Sequence, residues 1–112
     1  MAADSDIDAK RIATFGHSRY GKSALLTALW SEHVAAIIAH QSGTGGASLS
    51  RGKKGESVTQ ILSSYPHWFA PAYANYDTDA AIEVEQHHLL ALLAPRPILL
   101  GNARRDVWSD PE

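Results

Sequence analysis

The sequence has no cysteine, which excludes a disulfide framework and any thiolate metal site. It has no long apolar run either. The longest stretches, such as Leu89 to Ala94, fall far short of the roughly 20 residues that cross a bilayer. Charge of one sign is scarce: 10 Lys and Arg stand against 12 Asp and Glu, for a net charge of −2. That balance argues against nucleic acid or an anionic membrane as partner. No charged-then-apolar segment follows Met1, so the residues present carry no argument for export. There is no internal repeat and no low-complexity tract. Among six histidines there is no HExxH and no other i, i+4 ligand pair. The adjacent His87 and His88 would point about 100° apart on a helix, so they cannot share a metal on one face. Neither a metal nor a cofactor is called for. A length of 112 residues bounds the chain to one domain or part of one.

What is present is organised around Gly16-His17-Ser18-Arg19-Tyr20-Gly21-Lys22-Ser23. An apolar run, Arg11 to Phe15, precedes it, and a helical run from Ala24 to Trp30 follows. Strand, tight turn and helix in that order serve two chemistries. Read as GxxxxGKS, the turn is a P-loop that cradles nucleotide phosphates. Read as Gly-x-Ser-x-x-Gly, it is a variant nucleophile elbow that holds Ser18 on a strained turn. The usual elbow has glycine two places after the serine, where this chain has Tyr20 and reaches Gly21 one place later. Arg19 and Lys22 fall at the start of the helix, where the dipole disfavours cations. Two cations there suggest that an anion, or charge developing in a reaction, is held against the helix N-terminus. The bland alternative is that both swing to solvent or pair with Asp4, Asp6 or Asp8.

The remaining segments read as alternating strands and helices. Residues 1–10 are a polar, acidic lead-in. The strand at Arg11 to Phe15 is apolar without alternation, as in a parallel sheet covered on both faces. A helix from about Gly21 to Ser31 is apolar nearly all round and expects burial. Val34 to Ala39 is a second apolar strand, completing a βαβ unit, and the loop from His40 to Gly46 lies where open α/β sheets place their ligands. Ser50 to Gly55 reads as an exposed basic linker. Glu56 to Ser63 forms a short helix with Val58, Ile61 and Leu62 inward. Tyr65-Pro66-His67-Trp68-Phe69 reads as a loop pinned on the core by Trp68 and Phe69 rather than as a binding cage. Asp77 to Asp79 caps a turn, and Val84 to Ala94 is a helix with Leu89, Leu90, Leu92 and Leu93 buried, stopped by Pro95. Ile98 to Leu100 is a third parallel strand, giving an α/β fold class.

The two readings of the turn make different demands. A P-loop needs a carboxylate at the end of a neighbouring strand to hold magnesium, and the second strand ends Ile38-Ala39-His40-Gln41. A hydrolase needs an acid after the serine and then a histidine, and Asp106 lies just beyond the third strand. The blocks GHSRYGKSAL, HQSGTGGASLSR, SYPHWF, EQHHLLALLAPRPILL and DVWSDP resemble, in order, the bacterial branch of the glucuronoyl esterases, carbohydrate esterase family 15. The resemblance implies an α/β-hydrolase fold and cleavage of esters between 4-O-methylglucuronic acid on xylan and lignin alcohols, with glucuronoxylan or a lignin–carbohydrate ester as the substrate partner. It implies Ser18 as nucleophile, with Arg19 helping the backbone N–H to stabilise the oxyanion. Lys22 would hold hydroxyls of the uronoyl ring, Trp108 would line the sugar site, and Glu56 would contact sugar. A secreted or periplasmic location goes with the family.

The chain departs from the family pattern twice. Many members place the triad acid before the Ser-Gly-x-Gly-Gly loop, where this chain has Gln41, so Asp106 takes the role. The catalytic histidine of the family lies beyond the DxWxDP block, and none of the six histidines matches it. Three strands with apolar faces and a long unpaired edge are an aggregation hazard, and this fold normally takes well over about 200 residues. The chain therefore reads as residues 1–112 of a partial α/β-hydrolase domain, an internal segment lacking the N-terminal strands and the C-terminal part, inactive by itself. Two alternatives are a P-loop nucleotide-binding domain and an inactive carbohydrate-binding remnant of the esterase.

Overall fold

A computed structural model describes residues 4–76 and 82–110; the turn expected at Asp77 to Asp79 lies outside them. Three parallel strands form one sheet in the order β1-β2-β3, with β1 at Ile12–His17, β2 at Val34–His40 and β3 at Ile98–Gly101. β1 runs two residues past the expected Phe15 because Gly16 and His17 still pair with Ala39 and His40. Helix α1, Arg19–Trp30, starts two residues earlier than expected: the Ser18 carbonyl already accepts from the amides of Gly21 (2.9 Å) and Lys22 (3.2 Å).

The core lies between α1 and β2. Ala24, Leu25 and Ala28 pack on Val34, Ile37, Ala39 and Leu93. Leu25 and Ile37 are each 1% exposed, and such burial contributes about 1.5–3 kcal/mol per side chain. Truncating either would loosen the helix that carries the elbow. The other rim of α1 corrects the expectation of all-round burial, since Tyr20, Leu26 and Trp30 are exposed. The sheet behaves the same way. Among the described residues α1 covers one face, while Phe15 and Leu99 on the other remain 70% and 61% exposed.

Arg96 closes the C-terminal end of α1. Its guanidinium donates to the carbonyls of Ala28 (2.6 Å), Ser31 (3.2 Å) and Val34 (3.4 Å), where helix-end carbonyls otherwise go unpaired. Helix α2, Val58–Ser64, begins after Glu56 because Ser57 and Gln60 form a reciprocal capping box. Helix α3, Gln86–Leu92, is shorter than expected, and Leu92 points outward at 73% exposure instead of joining buried Leu93.

The segment from Ser50 to Gly55 is exposed at Arg51, Gly52 and Lys54, but it is not the free linker its composition suggested. Glu85 accepts from the backbone amides of Ser50 (2.8 Å) and Arg51 (3.0 Å). Asp110 accepts from those of Lys54 (3.1 Å) and Gly55 (3.0 Å). Two carboxylates from distant parts of the chain thus satisfy four backbone donors and hold the segment down. Burial alone would raise the Glu85 carboxyl, but these backbone hydrogen bonds, with one from Gln86, outweigh it and lower its pKa.

Candidate active site

The site is built on the single residue between β1 and α1. Ser18 has φ 54° and ψ −120°, a sparsely populated conformation that costs a non-glycine residue about 1–3 kcal/mol. The neighbouring ladder supports it, since the Ser18 amide donates to the His40 carbonyl at 2.8 Å. Close approach of strand and helix requires a residue without a side chain at position 16. A Cβ on Gly16 would lie 1.9 Å from the Tyr20 carbonyl oxygen. The later glycine of the variant motif does similar work: Gly21 is buried against Ser42, Gly16 and the His40 carbonyl.

This geometry disposes of the P-loop reading. A phosphate cradle needs several successive backbone N–H groups in an open loop. Here the strand runs to His17 and the helix starts at Arg19, so only Ser18 of the four residues between Gly16 and Gly21 lies outside both.

A cleft of about 160 Å³ opens at Ser18. Ser18, Arg19, Glu56, Tyr65, Trp68 and Trp108 all line it, so four of the six expected site residues meet in one place. Trp68 corrects an expectation. It is half-buried, it stacks on Tyr65 with ring centroids 3.8 Å apart, and it faces the cleft rather than anchoring the core. The Arg19 guanidinium sits over the Trp68 ring at 5.3 Å and the Tyr20 ring at 5.8 Å, within cation–π range, instead of pairing with the acidic lead-in. Trp108 is 55% exposed, as a ligand-facing ring should be.

Lys22 does not line that cleft. It is buried, and its Nζ donates to the Ser42 carbonyl at 2.5 Å. Burial lowers the Lys22 pKa, and the nearby Glu56 carboxylate opposes that shift. Burial likewise raises Glu56, which Lys22 and then Lys53 counteract. The two opposite charges therefore each offset part of the other's burial penalty.

Asp106 also stands outside the lining, one step removed through Ser109, which does line the cleft. Its Oδ2 accepts from the Ser109 hydroxyl (2.6 Å) and from Gln41 Nε2 (2.5 Å). The Ser109 bond is the largest cause of a carboxyl held below its ordinary pKa; burial opposes it, and the Gln41 bond and the amides of Ser109 and Trp108 add to the lowering. The residue at the usual acid position and the residue expected to replace it are thus in direct contact. Nothing in a 65-residue separation announces that. None of the six histidines lines the cleft. His17 and His40 instead pair with each other beside the elbow, Nδ1 to Nδ1 at 2.8 Å.

A family model of fungal glucuronyl esterases matches residues 1–112. The chain belongs to the glucuronyl esterase family. A carbohydrate esterase from an unknown prokaryotic organism is 45% identical over 109 residues, covering 96% of this chain and 25% of that protein. A promiscuous CE15 esterase from a marine bacterial metagenome superposes with a TM-score of 0.90 at 44% identity, covering 96% of this chain and 28% of the other. A glucuronoyl esterase variant from Sporotrichum thermophile, in complex with methyl 4-O-methyl-β-D-glucopyranuronate, superposes at 0.76 with 30% identity over 86% of this chain and 28% of that one. The chain thus spans about a quarter of the length of the curated relatives it matches. Its three parallel strands and flanking helices are the corresponding part of the α/β-hydrolase fold of these glucuronoyl esterases.

Proposed function

We propose that this chain supplies the nucleophile-to-acid segment of a serine esterase acting on 4-O-methylglucuronoyl esters, of the kind that join xylan to lignin alcohols. The observation that carries the reading is Ser18, held in a strained turn and opening onto a cleft it shares with Arg19, Glu56 and Trp108. Ser18 Oγ attacks the ester carbonyl. The amide of Arg19, at the helix N-terminus, and the Arg19 guanidinium stabilise the oxyanion. The alcohol departs with a proton from an imidazole, and water then releases the uronic acid by the reverse path.

Glu56 and Trp108 bind the sugar ring from the cleft wall, and Lys22, outside the lining, supplies the counter-charge to Glu56. Asp106 orients the imidazole. None of this chain's histidines faces the cleft, so the base comes from elsewhere in the full-length protein.

The test is hydrolysis of methyl 4-O-methylglucuronate by the full-length protein and by its Ser18→Ala variant. The wild type should cleave it with kcat/KM above that for a simple acetate ester, and Ser18→Ala should lose about 10³-fold or more. Cleavage of acetate alone, or an active Ser18→Ala, would overturn the reading.

A further inference from the structure

Around residues 53–56 the charged side chains that are not exposed are Lys22, Lys53, Glu56 and Asp110, and the reading above gives roles only to Lys22 and Glu56. The other two form a largely buried ion pair. Lys53 Nζ lies 2.7 Å from Asp110 Oδ2, with 8% and 14% of the two side chains exposed. Apart from this ion pair, neither atom has a hydrogen-bonding partner among the described residues, so no other bond offsets the burial of either atom. Asp110 is held by burial, which would raise its carboxyl. The Lys53 contact and the amides of Lys54 and Gly55 lower it by more.

The pair joins two segments that both end in the cleft. Asp110 Oδ1 accepts from the amides of Lys54 and Gly55, and the next amide, Glu56, donates to the Trp108 carbonyl at 3.1 Å. A Cβ on Gly55 would lie 2.3 Å from the Val107 carbonyl oxygen and 2.4 Å from that of Trp108, so the two backbones are in tight contact. Ser48 Oγ adds a bond to the Ser109 carbonyl at 2.6 Å. Asp110 itself takes a left-handed φ of 48°, a conformation that surrounding contacts must impose on a non-glycine residue. The contacts between residues 53–56 and 108–110 fix the separation between Glu56 and Trp108, the two cleft residues that the segments carry.

We propose that the Lys53–Asp110 ion pair is a clamp that positions Glu56 and Trp108 for the acyl part of the ester. It makes Lys53 and Asp110 specificity-positioning residues that touch no substrate. The inference rests on the proposed function for its kinetic consequence, but its structural consequence is independent.

The clamp is tested in the full-length protein with Lys53→Met, Asp110→Asn and the charge-keeping Lys53→Arg. Lys53→Met should raise KM for the methyl glucuronate ester by about tenfold or more with little change in kcat, the pattern of lost ground-state binding. Its kcat/KM for a simple acetate ester should stay within about twofold, and Lys53→Arg should restore most of the uronate affinity. Asp110→Asn keeps an acceptor for the two amides while losing the charge, so it should shift KM in the same direction and serve if Lys53→Met does not fold. Amide exchange at Gly55 and Glu56 should quicken in both charge-removing variants. Equal losses on both esters, or unchanged exchange at both amides, would overturn the clamp. If the wild type fails to cleave the uronate ester, the proposed function falls, and exchange at Gly55 and Glu56 alone then decides the clamp.

Discussion

Gly16→Ala is the smallest change that should dismantle the elbow. Its added Cβ would meet the Tyr20 carbonyl oxygen at 1.9 Å, the Tyr20 carbonyl carbon at 2.1 Å and the Gly21 amide nitrogen at 2.6 Å. All three are backbone atoms of the first turn of α1, so no rotamer change relieves the overlap. Restoring ordinary contact at 3.4 Å requires the oxygen to retreat by 3.4 − 1.9, or 1.5 Å. Overpacking of that kind costs about 1–3 kcal/mol of stability. The larger effect is on chemistry, because the displaced turn carries the Arg19 amide, and a misplacement of about 1 Å costs about 10²-fold in rate. Gly21→Ala is the internal comparison. Its nearest contacts are the Ser42 Cβ at 3.0 Å and two carbonyl oxygens at 3.1 and 3.3 Å, so a shift of a few tenths of an ångström suffices and the loss should be several-fold smaller. Denaturant melts and ester kinetics on the full-length variants measure both. Wild-type turnover in Gly16→Ala would refute the argument that strand and helix must touch at this point.

Three further outcomes follow from the same geometry. Asp106→Asn should lower turnover by up to about 10⁴-fold, and adding Gln41→Glu should restore part of it, because Gln41 Nε2 lies 2.5 Å from the Asp106 carboxylate; turnover above about a tenth of wild type, under about 1.4 kcal/mol, would refute the triad assignment. Trp68→Ala should raise KM while costing well below the about 3–5 kcal/mol of a core tryptophan truncation, since the ring faces the cleft; a full core-sized loss in denaturant melts would contradict this. Lys22→Met removes the cation that offsets burial at Glu56, so that carboxyl should titrate still higher. A carboxyl raised in the folded state contributes stability that is intact below its unfolded-state pKa and is lost as pH rises from there through its folded pKa, so the variant's deficit against wild type in melts should be smallest at acid pH and grow above it. A deficit that shrinks with rising pH would contradict the coupling.

What the sequence disclosed was local. Strand, turn and helix around Ser18 were legible because apolar runs and turn residues sit side by side, and the parallel direction of the first two strands followed from βαβ logic. The ends of elements were less so: β1 extends through Gly16 and His17 because of pairing with β2, which no single-strand pattern reveals. Burial was misjudged where composition is ambiguous. Leu92 lies one residue from buried Leu93 on α3 and faces outward, and Trp68 has an aromatic's core propensity but a place in the cleft wall. The basic stretch from Ser50 to Gly55 read as an exposed linker because its anchors, Glu85 and Asp110, are 34 or more residues away. The contact of Gln41 with Asp106 and the Lys53–Asp110 pair are long-range in the same sense. Only the fold brings them together, although the block DVWSDP did mark where two of the contributing residues, Asp106 and Asp110, lie.

The most direct test of the central claim is intact-mass analysis of the full-length protein after treatment with a fluorophosphonate, with the adduct located by peptide mapping. A strained serine beside an oxyanion site should be phosphonylated, so the account predicts one adduct, on Ser18, absent from the Ser18→Ala variant and slowed by Asp106→Asn. No adduct on Ser18, or labelling that persists unchanged in Ser18→Ala, would contradict it and leave the cleft as a carbohydrate-binding surface without a nucleophile.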